Sequence, residues 1–141
     1  MIIKFLKTKK EAKLPRYAHT GDAGLDLFSI EDKILNPQEK YVFNTGIAGQ
    51  IPEKFVGLIW ERSGLATRDG LISLGGVIDS GYRGEIGVGL WNLSKKKVKI
   101  NQGDRIAQLL IQPIINIQVK ESIKLAESKR GQKGFGSTGR K

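Results

Sequence analysis

Residues 75–92 read Gly75-Gly76-Val77-Ile78-Asp79-Ser80-Gly81-Tyr82-Arg83-Gly84-Glu85-Ile86-Gly87-Val88-Gly89-Leu90-Trp91-Asn92. Ile86, Val88 and Leu90 fall on one face of an extended chain and Glu85, Gly87 and Gly89 on the other, the two-residue period of a half-buried strand. Val77-Ile78 is a short β-rich piece, and Ser80-Gly81 supplies a tight turn, so the stretch predicts strand, turn, strand, a hairpin with Asp79 and Tyr82 at its tip. The same signature recurs outward from it. Ala23, Leu25 and Leu27 alternate, imperfectly at Phe28; Tyr41-Val42-Phe43 is β-rich, and so is Phe55 to Trp60, which follows the turn signal Ile51-Pro52-Glu53-Lys54. Val98 and Ile100 alternate with Lys97 and Lys99, while Ile106 to Ile111 and Ile114 to Val119 read as two strands bent at Pro113. Helical signals are few: Ser63 as N-cap of a turn over 64–68 stopped by Gly70, and a stretch long enough for two turns at 121–128. Short strands punctuated by Gly, Pro and Asn predict an all-β barrel or sandwich with at most one short helix.

The chain has 141 residues, which suits a single domain burying roughly 70 % of its unfolded surface. It has no Cys, excluding disulfides, thiolate zinc sites and a Cys nucleophile, and the lone His19 cannot build a multi-His metal site. Apolar runs of only a few residues predict no membrane span, and the N-terminal MIIKFLKTKKEAKLP lacks the pattern of a secretory signal, so a cytoplasmic location is expected. Net charge is +10, which favours polyanionic partners, and Gly is unusually frequent at 18 residues, implying tight turns or close backbone approaches. Residues 129–141 carry one large apolar side chain, Phe135, among glycines and cations; we expect residues 1–128 to form the domain and 129–141 a mobile tail.

Four clusters can carry chemistry. Gly134-Phe135-Gly136-Ser137-Thr138-Gly139 has the G-x-G-x-x-G spacing, but with only Arg140 and Lys141 after it no dinucleotide fold is expected. Its backbone N–H groups, the Ser137 and Thr138 hydroxyls and the flanking Arg130, Lys133, Arg140 and Lys141 would suit a phosphate clamp with Phe135 stacking on a base; a solvated basic tail is the plain alternative. Arg62-Ser63-Gly64 at a helix start is an anion site or an ordinary cap. Asp79 sits with Tyr82 at the turn of the opening stretch, as a candidate general base or merely a turn residue, with Gly76 and Gly87 leaving room for a planar ligand. Gly103-Asp104-Arg105-Ile106-Ala107-Gln108 is a turn feeding a strand that could aim Gln108 at the same site.

Taken in order, these segments closely resemble the trimeric, all-β dUTP pyrophosphatases (dUTPases). The resemblance runs through Ala23-Gly24-Leu25-Asp26-Leu27, Arg62-Ser63-Gly64-Leu65-Ala66, Gly76-Val77-Ile78-Asp79 to Tyr82-Arg83-Gly84, Gly103 to Gln108, and Arg130-Gly131 with Gly134 to Gly139. It implies a distorted jelly-roll of the β-clip type and Mg²⁺-dependent hydrolysis of dUTP to dUMP and pyrophosphate, limiting uracil in DNA and supplying dUMP for dTMP synthesis. It implies that Asp79 deprotonates the water attacking the α-phosphorus and that Tyr82 packs under the deoxyribose. Gly76, Val77, Ile78 and Gly87 would read the uracil, and Arg62, Ser63, Gly64 and Gln108 would hold the phosphates. Asp26 would bind Mg²⁺ through water, with no direct protein ligand. Arg130, Ser137 and Thr138, with Gly136, would close over the γ-phosphate while Phe135 covers the base. Members are homotrimers that share active sites between subunits.

Three departures stand out: Glu61 where Pro is common, Gly81 where Asp is frequent, and Lys133 in place of Gly. The related dCTP deaminases carry a Glu at the position of Gly89, which cannot move a proton, so deamination is not expected. A nucleic-acid-binding β-domain would use the basic runs Lys4 to Lys13 and Lys95 to Lys99, but a single aromatic, Phe5, falls within them, too few to stack successive bases, and we expect nucleic acid not to be the main partner.

Overall fold

The computed structural model describes residues 1–128, 131 and 132. Alternating or β-rich runs give β1 (Lys4–Lys7), β2 (Leu25–Phe28), β3 (Lys33–Leu35), β4 (Lys40–Phe43), β5 (Ile47–Gln50) and β6 (Phe55–Trp60). The helix α1 (Ser63–Asp69) follows, then β7 (Leu71–Leu74), β8 (Val77–Ile78), β9 (Val88–Asn92), β10 (Val98–Ile100) and β11 (Arg105–Pro113). The strands form a four-stranded sheet β2-β11-β6-β8, a three-stranded sheet β4-β9-β7, and the pairs β1-β5 and β10-β3, all antiparallel. This is the distorted jelly roll expected, with one short helix. No helix among the described residues is long and apolar enough to cross a membrane.

The core lies between the two larger sheets. Ile86, Val88 and Leu90 are fully buried there with Leu27, Phe43, Leu71 and Leu109, so the alternation in the opening stretch points inward as its sequence demands. Asn92 ends β9 buried among carbonyls: its amide donates to Leu35 O and Lys96 O (3.1 and 2.7 Å), and its Oδ1 accepts the Ser94 N–H at 3.0 Å. A buried amide needs such partners, and these fix the β9–β10 turn.

Several local expectations are corrected. The strands flanking the Asp79–Tyr82 turn do not pair with each other: β8 joins β6, whereas Glu85 bridges Ala48 and only 88–92 enters the other sheet. The turn therefore links two sheets instead of closing a hairpin. Arg62, in β conformation, is the N-cap of α1 and makes no side-chain cap bond; Ser63 is already helical. Gly70 does end the helix, in the left-handed region (φ 70°) that a glycine enters without strain. Pro113 is the last residue of β11 rather than a bend between strands; 114–119 form no strand within this chain and 121–128 no helix. The alternation of Ile115, Ile117 and Val119 is real, yet these side chains are 77–91 % exposed because nothing among the described residues pairs with the segment.

Candidate functional site

The outer face of the four-stranded sheet aligns the first cluster. Antiparallel register sets Asp26 opposite Gln108 and Gln108 opposite Trp60, and directly opposed residues point to the same side. The chain leaves β6 at Trp60 and starts α1 beside this row. The result is a groove of about 530 Å³ lined by Gly24, Asp26, Arg62, Ser63, Gly64 and Gln108, together with His19, Arg68 and Arg105.

Its electrostatics centre on Asp26, which is buried although charged. Arg62 Nε lies 3.2 Å from Asp26 Oδ1 and Arg105 Nη1 lies 3.3 Å from Oδ2. Two guanidiniums on one carboxylate leave a net positive charge facing solvent, the balance for a polyanion. Gln108 Nε2 donates to the Glu61 carbonyl at 3.1 Å. A Cβ on Gly24 would stand 2.6 Å from Gln108 Oε1, so a side chain there would dislodge the amide. Ser63 and Gly64 are exposed at the first turn of α1, where the leading N–H groups lack intrahelical acceptors. The Ser73 hydroxyl, 2.6 Å from Glu61 Oε2, and nearby backbone donors hold the Glu61 carboxyl below the ordinary carboxylate range. Glu61 thus braces the turn into α1 from the side of β7.

The second cluster is a slot of about 460 Å³ lined by Val42, Asn44, Val77, Ile78, Asp79, Tyr82, Glu85 and Gly87. The Tyr82 N–H donates to the Asp79 carbonyl at 3.0 Å, and Arg83 Nη1 caps the Ser80 and Tyr82 carbonyls at 2.7 and 2.8 Å. The Asp79 side chain projects from this closed turn into solvent. Gly87 is needed for room, since a Cβ would stand 2.9 Å from Val42 Cγ1. Gly76 serves packing instead: at φ 108° its Cα abuts β6, and a Cβ would meet the Ile59 carbonyl oxygen at 2.8 Å.

Groove and slot share no lining residue. Register explains why. β8 runs antiparallel to β6, with Val77 opposite Leu58 and Ile78 opposite Gly57, so Asp79 lies beyond Gly57 while Arg62 lies beyond Trp60 at the other end. Three strand spacings separate Gly57 from Trp60 alone, roughly 10 Å. Sequence reading therefore grouped residues that one chain holds apart. Arg130, Phe135, Gly136, Ser137 and Thr138 lie outside the described residues.

Arg105, His19 and Arg68 were missed as groove residues, and Val42, Asn44 and Glu85 as slot residues. Arg105 stood in a quoted motif, but only the register shift between Arg105 and Ala107 reveals that it turns onto Asp26. His19 and Val42 carry no local signal, since strand pairing alone brings them in.

A family model described as dUTPase matches residues 10–139. The chain is 48 % identical over 140 residues to a deoxyuridine 5'-triphosphate nucleotidohydrolase of Clostridium tetani, covering 98 % of this chain and 97 % of that protein. It is 45 % identical over 141 residues to the one from Corynebacterium glutamicum, covering 98 % and 95 %. Among solved structures, a mutant Staphylococcus bacteriophage 80alpha dUTPase with dUpNHpp matches with a TM-score of 0.91 at 34 % identity over 98 % of each chain. A mutant dUTPase of phage phi11 of S. aureus, described with a structural Mg(II) ion, matches with a TM-score of 0.84 at 31 % identity, covering 90 % of this chain and 100 % of that one.

Proposed function

The chain belongs to the dUTPase family, and from that membership we infer that it hydrolyses dUTP to dUMP and pyrophosphate. The observation that carries the inference is that every segment building the groove and the slot falls within the matched residues 10–139. We assign the groove to the triphosphate, held by Arg62, Ser63, Gly64 and Gln108, and the slot to deoxyuridine. There the backbone of Val77 and Ile78, with Gly87, faces the uracil edge, Gly76 sets the start of β8 against β6, and Tyr82 packs under the sugar. Hydrogen bonds to a base edge discriminate strongly because a wrong base leaves buried polar groups unpaired. Asp79 takes a proton from a water whose oxygen bonds to the α-phosphorus; the bond from that phosphorus to the bridging oxygen breaks, and pyrophosphate leaves. Such transfer depends chiefly on positioning and charge neutralisation.

Mg²⁺ fits this donor set only as a companion of the nucleotide. Among the described residues no three His, Asp or Glu side chains come together to hold a metal, and the Asp26 carboxylate already faces two guanidiniums. A bare cation is unfavourable there; a hydrated one accompanying the triphosphate would be held at Asp26 by hydrogen bonding rather than by direct ligation. When bound to the triphosphate, Mg²⁺ neutralises phosphate charge. Arg130, Gly136, Ser137 and Thr138 would close over the γ-phosphate, with Phe135 over the base.

We assign the assembly as a homotrimer in which groove and slot come from different copies. Two surfaces support this. On the outer face of the four-stranded sheet, Leu58 and Leu110 lie beside Val77 and Trp60, which are 66 % and 53 % exposed, an apolar patch that no described residue covers. The unpaired alternation of Ile115, Ile117 and Val119 is the second, a strand pattern in want of an edge. A nucleotide substrate also favours a cytoplasmic location. At Gly89 a Cβ would stand 2.9 Å from the Leu74 carbonyl oxygen, so the backbone leaves no room for the Glu that dCTP deaminases carry at that position.

Pyrophosphate release from dUTP, dTTP, dCTP and UTP with Mg²⁺ tests the assignment. dUTP is expected to be turned over with large preference, and inertness toward it would refute the reading. Tyr82→Ala should raise kcat/KM for UTP relative to dUTP by roughly 10- to 100-fold, because the wall against a 2′-hydroxyl is gone; an unchanged ratio would remove Tyr82 from sugar selection.

A further inference from the structure

The slot contains a charged residue that the mechanism above leaves unused. Glu85 Oε2 accepts the Thr8 hydroxyl at 2.7 Å, and Oε1 accepts the Gly46 N–H at 2.9 Å. Its main chain bridges Ala48, and the next residue is fastened on both sides: Ile86 N–H to the Ile47 carbonyl at 2.7 Å, and the buried Thr45 hydroxyl to the Ile86 carbonyl at 2.6 Å. In the other direction the Glu85 carbonyl accepts the Tyr82 hydroxyl at 2.8 Å. The ring of Tyr82 folds over Gly84, where a Cβ would stand 2.7 Å from the ring Cζ. Two contacts therefore set the tilt of a ring that is 43 % exposed: a glycine beneath it and one hydrogen bond to a carbonyl.

We propose that Glu85 is a positioning residue for sugar discrimination: its doubly anchored carboxylate fixes the carbonyl that holds the Tyr82 hydroxyl, and so makes the ring an unyielding wall. The proposal rests on the assignment of Tyr82 to the deoxyribose. A ring that can tip makes room for an extra oxygen, whereas one locked at its far end cannot; selection by exclusion depends on that rigidity. The anchors come from distant parts of the chain, Thr8 just after β1 and Gly46 just before β5. A carboxylate accepting hydrogen bonds from both is a stronger tie than a neutral side chain would give. Glu85 itself faces Thr8 and Gly46, so it acts through Tyr82.

The test compares kcat/KM for dUTP and UTP, together with Tm, in the wild-type enzyme and in Glu85→Ala, Thr8→Val, Tyr82→Phe and the Glu85→Ala/Tyr82→Phe double variant. Glu85→Ala should lower the dUTP-to-UTP ratio roughly ten-fold, chiefly through a lower KM for UTP, and Thr8→Val about three-fold, since one of two anchors remains. The double variant should lose no more selectivity than the worse single one, because both changes cut the same tie. A mere brace would lower Tm and leave the ratio alone. An unchanged ratio in Thr8→Val and in folded Glu85→Ala overturns the proposal, as do additive losses in the double variant. If Glu85→Ala does not fold, Thr8→Val combined with Tyr82→Phe decides on the same criterion. A wild-type protein that leaves dUTP intact would instead remove the underlying assignment, a failure visible before any variant is made.

Discussion

Asp79→Asn is expected to bind dUTP about as tightly as the wild-type protein and to hydrolyse it roughly 10²- to 10⁴-fold more slowly, the usual worth of a general base. The substitution is nearly isosteric, and the turn relies on the Asp79 main-chain carbonyl, which Asn retains, rather than on its carboxylate. With the side chain exposed, little folding energy is at stake. An amide cannot take the proton from water, so the loss should fall on kcat with KM and Tm almost unmoved. Single-turnover pyrophosphate release measures the first and calorimetric titration with a non-hydrolysable analogue the second. A near-normal kcat would refute the assignment of the base.

Truncation after Ser128 should produce a protein that folds and assembles normally yet turns dUTP over at least about 10²-fold more slowly, because phosphoryl transfer is acutely sensitive to how the reacting group is held. Among the described residues the buried apolar core runs from Ala12 to Leu109, all of it ahead of the cut. What goes is Arg130, Phe135, Gly136, Ser137 and Thr138, the residues assigned to the γ-phosphate and the base. Circular dichroism and sedimentation report fold and assembly; kinetics with saturating Mg²⁺ report the rest. Full activity in the shortened chain would eliminate the clamp.

What the sequence disclosed follows from the range of the forces involved. Period-two alternation is local, and Ile86, Val88 and Leu90 declared a buried face that all three keep, although only Val88 and Leu90 lie within the strand β9. The stop at Gly70 was equally local, a matter of one residue's backbone freedom. Strand partners are not local. Nothing within 75–92 says that β8 will pair with β6 and β9 with β4 and β7, so a turn between sheets passed for a hairpin. The strands at 4–7, 33–35, 47–50 and 71–74 were missed because their runs are short and their burial comes from what lies across from them. The same limit shaped the site. Motif order named Asp26, Arg62, Gln108, Asp79 and Tyr82, but only register showed that the first three meet in a groove from which the last two are excluded. Ile114 to Val119 makes the point from the opposite side: a strand pattern is necessary for a strand, but without an edge to join it is not sufficient.

The separation of groove and slot has one more consequence on the reading proposed. A solitary copy, however well folded, carries halves of two different catalysts and the whole of neither. Working enzyme then appears only by encounter, and its yield rises more steeply than the amount of polypeptide made, so that scarcity silences the chemistry before any inhibitor need do so.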